Sequence, residues 1–245
     1  MQVDALAIQL RPRSMPEACD LGVLLAHRHA RSVWSCYLPV FLAVLVLAAA
    51  TIELAPWAPT LVVFWLKPWM DRTLLFVLSR AVFGQSTRPR DVWAHRSTVL
   101  FGQLFSTLVL RRLSPWRSYT QPALQLEGQR GAARRKRRDQ LLKGKRNAAT
   151  LLQFVFGNCE LAVLAGLMAM AVWFAPEGAR GGVLPWLANS SGGLAHDSVM
   201  LGIYALAVLL VEPFFVAAGF AMYLNRRVEL EAWDIEQEFR RAFAA

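Results

Sequence analysis

Between Arg111 and Arg146 the chain carries twelve Lys/Arg against only two acids, Glu127 and Asp139, with long apolar stretches on either side. A cluster this basic resists transfer across a bilayer, so it fixes one loop on the cytoplasmic side of a membrane. The rest of the topology follows from that anchor.

The apolar stretches justify invoking a membrane at all. Hydrophobic residues make up 56% of the 245, and only 18% are charged, against about a quarter in an ordinary soluble domain. The excess is concentrated in runs long enough to span lipid. The net charge of +10 then reads as orientation and attraction to anionic headgroups. Nucleic acid is not an expected partner, because no aromatic residues interleave the core of the basic stretch to stack bases. Cys19, Cys36 and Cys159 show no metal-ligand spacing, and an odd count without CxxC argues against a disulfide framework or zinc. No metal or cofactor is expected. No cleavable signal is expected either, since Asp4, Glu17 and Asp20 interrupt the first thirty residues.

Along the chain, residues 1–32 read as a cytoplasmic segment. It is irregular to about residue 13 and then forms a helix begun by Ser14 as N-cap, with Pro16 and Glu17 in its first turn. Leu21, Leu24 and Leu25 offer that helix an apolar side, and Gly22 weakens it. Residues 33–110 form a first membrane half. Trp34 to Ile52 is a charge-free span, and 57–83 is interrupted by Lys67, Pro68, Asp71 and Arg72. Two readings of 57–83 stand: a kinked or broken second span, or a re-entrant piece followed by an amphipathic helix. Ser97 to Leu110 is too short to span and reads as interfacial or re-entrant, with a small-residue face at Thr98, Gly102 and Ser106.

Residues 111–147 are the basic loop. Residues 148–223 hold two further spans, Ala148–Phe174 and Val199–Tyr223, and 224–245 form an amphipathic tail helix. Its stripe is Leu224, Val228, Ile235 and Phe239, with a Glu236–Arg240 pair. The expectation is an all-α, four-span bundle with both termini cytoplasmic, which puts 24 of 27 Lys/Arg inside.

Four strings, Glu17–Gly22, Trp65–Arg72 with Leu78–Gly84, Gln121–Gly128 and Tyr223–Glu236, together resemble an uncharacterised group of bacterial inner-membrane proteins. The tail is also similar to the membrane domain of some glycerophosphodiester phosphodiesterases. The resemblance implies an inner-membrane location and other membrane proteins as partners, notably ones with a DUF4129 domain. It carries over no catalytic residue.

Glu160 and Glu212 lie inside the third and fourth spans at similar depth, about 18 Å from the cytoplasmic ends. They can meet each other or share a cation, with Lys67 and Arg72 as candidates. Asn158 and Asp71 complete the intramembrane polar set. Such groups read either as a polar clasp between helices or as an ion, proton or headgroup site. The Lys67–Arg72 stretch reads as a substrate-lining break or as an interfacial belt of Trp with snorkelling cations. Arg134, Arg135, Lys136, Arg137 and Arg138 form a dock for anionic lipid or an acidic partner, and the acidic tail can latch onto them. His27, His29, His95 and His196 form no group, and GxSxG, HExxH, Walker and GxGxxG motifs are missing. The expected function is a non-enzymatic subunit or scaffold of a membrane complex, or a homo-oligomer. A transporter or lipid-handling protein is the alternative.

Overall fold

A computed structural model describes residues 12–102, 107–108, 114–129, 131–178, 180–188 and 193–231. Among them are ten α-helices and no strand. Three helices, α2 (Ala30–Ala49), α8 (Arg146–Trp173) and α10 (Gly193–Glu231), are long and apolar enough to cross a membrane. The all-α bundle is as expected.

The spine is α10, an unbroken helix of 39 residues, about 58 Å long. That exceeds the roughly 30 Å of a hydrocarbon core, so the helix is longer than a single span needs. No boundary separates a last span from a tail at residue 224, because the same helix continues to Glu231. Leu224 and Val228 pack inward, whereas Ile235, Phe239 and the Glu236–Arg240 pair lie outside the described residues.

The first helix, α1 (Met15–Arg28), starts where the sequence places it: Ser14 Oγ accepts the Glu17 amide. Its buried side differs from the expected one. Met15, Ala18, Gly22, Leu25 and Ala26 face inward, and Leu24 is 42% exposed. The reason is close approach. Gly22 lies against the backbone of Ala217 and Ala218 on α10, where a Cβ would overlap the Ala217 carbonyl. Here the glycine is the contact itself, and small residues let the two backbones meet. Reciprocal bonds between the Asn225 side chain and the Arg13 backbone, both 2.8 Å, fix the register.

On α2, Val33, Tyr37, Phe41, Val44 and Ala48 are buried on one side while Leu42, Val46 and Leu47 remain outside. Helix α3 (Ala58–Ala81) runs unbroken past Pro68, so a re-entrant piece followed by a separate helix does not form. Its 24 residues reach about 36 Å between α2 and α10.

Short helices α4 (Pro89–Ala94) and α5 (Arg96–Val99) follow. Of the expected interfacial segment Ser97–Leu110, Ser106 and most of the second half lie outside the described residues. Helix α6 (Arg117–Gln125) corrects the largest expectation. The basic stretch does not begin as a solvated loop, because every residue from Arg117 to Leu124 is buried against α3 and α10. Gly219 of α10 sits directly under Ser118, which permits that depth. Helix α7 (Gly131–Leu142) carries the arginine-rich run, and α9 (Arg180–Ala188) bridges the ends of α8 and α10.

Gly22→Leu should therefore lift α1 from α10 and destabilise the fold by about 1–3 kcal/mol. Gly202→Ala, where a Cβ would meet nothing, should leave the unfolding midpoint in detergent unchanged. Equal midpoints for both variants would refute the close-approach argument.

Candidate functional site

On α3, Lys67 and Asp71 are one turn apart and share a face. On α6 the same spacing recurs at Arg117, Gln121 and Gln125. The two stripes meet. Arg117 Nε lies 3.0 Å from Asp71 Oδ2, Gln121 Nε2 donates to the Pro68 carbonyl at 3.2 Å, and Gln125 Nε2 donates to that of Arg72 at 2.8 Å.

Arg117 also bonds Glu212 on α10, and its guanidinium lies 5.1 Å from the centre of the Phe215 ring. Lys67 Nζ joins the remaining acids, at 2.5 Å from Glu160 on α8 and 3.4 Å from Glu212, and sits 5.8 Å from the Tyr204 ring centre. Five charged side chains thus tie α3, α6, α8 and α10 together.

Arg72 leaves the opposite side of α3. It donates to the carbonyls of Thr98, Val99 and Gly102 and to Thr107 Oγ1. Those carbonyls lie at the C-terminal end of α5 and just beyond it, where the helix leaves acceptors without an intrahelical donor. With Arg72 included, three buried cations face three carboxylates, and the set is formally neutral.

The expected clasp partners are partly right. Glu160 and Glu212 share Lys67, but Arg72 serves backbone instead. The belt of snorkelling cations does not form, because Lys67 and Arg72 are only 5% and 4% exposed. Trp69 also points inward, its Nε1 donating to the Leu100 carbonyl at 2.8 Å. Arg117 escaped sequence reasoning because it was counted with the basic block. Its signal was the four-residue spacing to Gln121 and Gln125. Asn158 belongs to none of this, because it is exposed on the outer side of α8.

Beside the network a cavity of about 310 Å³ opens between α3, α8 and α10. Lys67, Glu160, Glu212 and Tyr204 supply its polar wall, and Phe64 and Leu161 its apolar rim. The volume is at the small end of ligand-pocket sizes.

A second ion cluster covers the protruding end of α10. Arg137 grips Glu127 with two 2.8 Å bonds and also reaches Glu231, which Arg227 holds at 2.6 Å. Lys145 and Arg226 hold Glu229 at 2.9 and 2.6 Å. Tyr119 Oη donates to the Leu141 carbonyl, and Leu141 and Leu142, the last residues of α7, are buried. The expected latch is seen only in its described part: Leu224–Glu231 continue α10, α7 docks onto them, and the rest of the acidic tail lies outside the described residues. Arg135, Lys136 and Arg138 remain exposed, and Arg134 is half-buried. Among the described residues no group of three His, Cys, Asp or Glu is placed to hold a metal.

No family model, no curated protein and no solved structure matches the chain.

Two outcomes follow. Arg117→Met leaves Asp71 without its cation and Glu212 with Lys67 alone, and should cost about 3–5 kcal/mol, read by denaturant unfolding in detergent. Wild-type stability would show that the interior is wet. For the outer cluster, burial pushes Glu229 and Glu231 up, but the bonds from Lys145, Arg226, Arg227 and Arg137 prevail and hold both below the usual carboxylate range. Their stabilisation is complete above the ordinary glutamate pKa, about 4.3, and is lost as pH falls through the lower folded values. The protection factors of the Leu141 and Leu142 amides against hydrogen exchange, taken relative to the intrinsic rate at each pH, should therefore fall on acidification and, at neutral pH, in the Glu229→Gln/Glu231→Gln variant. Exchange indifferent to both would remove the latch.

Proposed function

We propose that the chain is a non-enzymatic subunit or scaffold of a bacterial inner-membrane complex. In this reading it has four spans, α2, α3, α8 and α10, with both ends cytoplasmic. Residues of α3 that lower its hydropathy, Lys67, Asp71 and Arg72, all face protein, which supports counting it as the fourth span.

One observation carries the proposal: five buried charges and the half-buried Glu160 are each met within the chain. A site that works on an ion or a headgroup keeps an unmet charge or an open ligand position. Here each carboxylate has a cation of the chain beside it, and Arg72 is absorbed by backbone carbonyls. Such a set acts as a rigid joint between helices. The exposed Arg135, Lys136 and Arg138 are suited to anionic headgroups or an acidic partner. The resemblance noted above points to DUF4129-type membrane proteins as partners.

The cavity beside Lys67 and Glu160 favours a second reading, a transporter or lipid-handling protein. Its rim is apolar and its wall charged, which suits an amphipathic molecule whose head exchanges with Glu160 for Lys67.

Gentle solubilisation from the native host, followed by mass measurement, separates the two. A subunit should run as a complex of fixed stoichiometry, and Glu160→Gln should weaken its heat stability without a ligand-dependent effect. A lone monomer, stabilised by added lipid in the wild type but not in Glu160→Gln, would replace the scaffold with lipid handling.

A further inference from the structure

Helix α8 is built unlike the other apolar helices. Half of the apolar window of α10 and 39% of that of α2 are buried, but none of that of α8 is. Its inner side, with Phe156, Glu160, Val163 and Leu167, is half-buried. Its outer side is regular in sequence. Leu151, Val155, Asn158, Ala162, Ala165 and Ala169 follow one another at steps of four, three, four, three and four, and all six are exposed.

That spacing keeps all six on one face of the helix, and what sets this face apart is its composition, three alanines and one amide pointing away from the described bundle. This seam runs for about 27 Å, close to the thickness of a hydrocarbon core. The alanines allow backbones to come close, as helix pairs in lipid require.

Asn158 decides what covers the seam. It sits at the centre of the outer arc, about 18 Å from the start of the helix, where lipid offers no hydrogen-bonding group. Its Nδ2 donates back to the Phe154 carbonyl at 2.8 Å, which uses one of two N–H bonds. Oδ1 accepts from no described residue. An amide is self-complementary, both donor and acceptor, and a lone Asn at a seam position selects register and pairing in two-stranded coils. Two copies in one membrane share an orientation, so their α8 helices are parallel, and a two-fold axis along the membrane normal brings each seam residue to its own counterpart.

We propose that the outer seam of α8 is a homodimer interface in which Asn158 bonds the same residue of a second copy. This names the partner left open by the scaffold reading and rests on it. Glu160 lies on the opposite side of α8, so pairing leaves the ion network intact.

The test is disulfide crosslinking of the full chain in native membrane vesicles. Cys159 is replaced by Ser; Cys36 is buried and Cys19 half-buried. Single Ala162→Cys, Ala165→Cys and Ala169→Cys variants should give a dimer, and Leu164→Cys and Leu167→Cys, on the inner side, should not. Adding Asn158→Leu should lower the dimer yield about tenfold, the loss of one intramembrane amide pair. Asn158→Gln should restore much of it. Because Asn158 is exposed, both variants should keep the parental unfolding midpoint.

Equal yields on both sides of the helix, or no dimer at any seam position, would overturn the proposal. An adduct to a different protein would overturn self-pairing yet leave the scaffold reading standing. A lone monomer both here and after gentle purification would end both.

Discussion

The fold depends on a requirement of charge in a low-dielectric interior: each buried ion must find an opposite charge or a set of backbone acceptors, or the helix bearing it cannot enter. Helix α3 carries Lys67, Asp71 and Arg72 within six positions and would be expelled from any apolar bundle if those groups were unmet. Each is met by a different element: Lys67 by α8 and α10, Asp71 by α6, and Arg72 by the carbonyls at the end of α5. The bundle closes because these demands are satisfied together, and removing any one partner leaves another stranded.

This explains why so polar a segment as α6 is buried. Nine residues with Arg, Ser, Thr and two Gln would not leave water on their own account. What draws them in is the deficit left by Asp71 and Glu212, which only Arg117 can offset together, and the acceptor carbonyls along α3. Close packing makes the position reachable, since Gly219 leaves room for the Ser118 side chain. At the far end of α10 the same kinds of pair, Arg137 with Glu231 and Lys145 with Glu229, are partly exposed. There they contribute less, and they titrate with the surrounding water. One helix thus carries a dry network that holds the bundle and a wet one that docks α7.

Much of the architecture was legible in the residues, and what was not has a physical cause. Spans are recognised by composition over about twenty positions, so α2, α8 and α10 stood out, as did the depth shared by Glu160 and Glu212. Helix α6 did not, because twelve cations in one stretch argue for solvent, and a single Arg that departs from the group leaves no trace in an average. Its trace is local: three polar residues at helical spacing, answering two on α3. Gly22 was misjudged for a related reason. Helix propensity prices a glycine by the backbone freedom it loses, whereas the contact with Ala217 depends on the Cβ it lacks. Neither the partner of Arg117 nor the neighbour of Gly22 can be read without knowing which helices touch.

The polar groups in the apolar part of the chain now divide unevenly. Every buried charge is compensated from within, by a partner on another helix or by backbone. Asn158, on the outer side of α8, is left with an acceptor that no described residue uses. Had selection favoured only a self-contained bundle, the outer side of α8 would need no order, since lipid accepts any apolar surface. Instead it carries three small residues and a single amide near its centre. An amide on a face that touches no other described helix has a physical use where a second helix lies against it. That is why the unmet acceptor, more than the cavity, indicates what this protein is built to do.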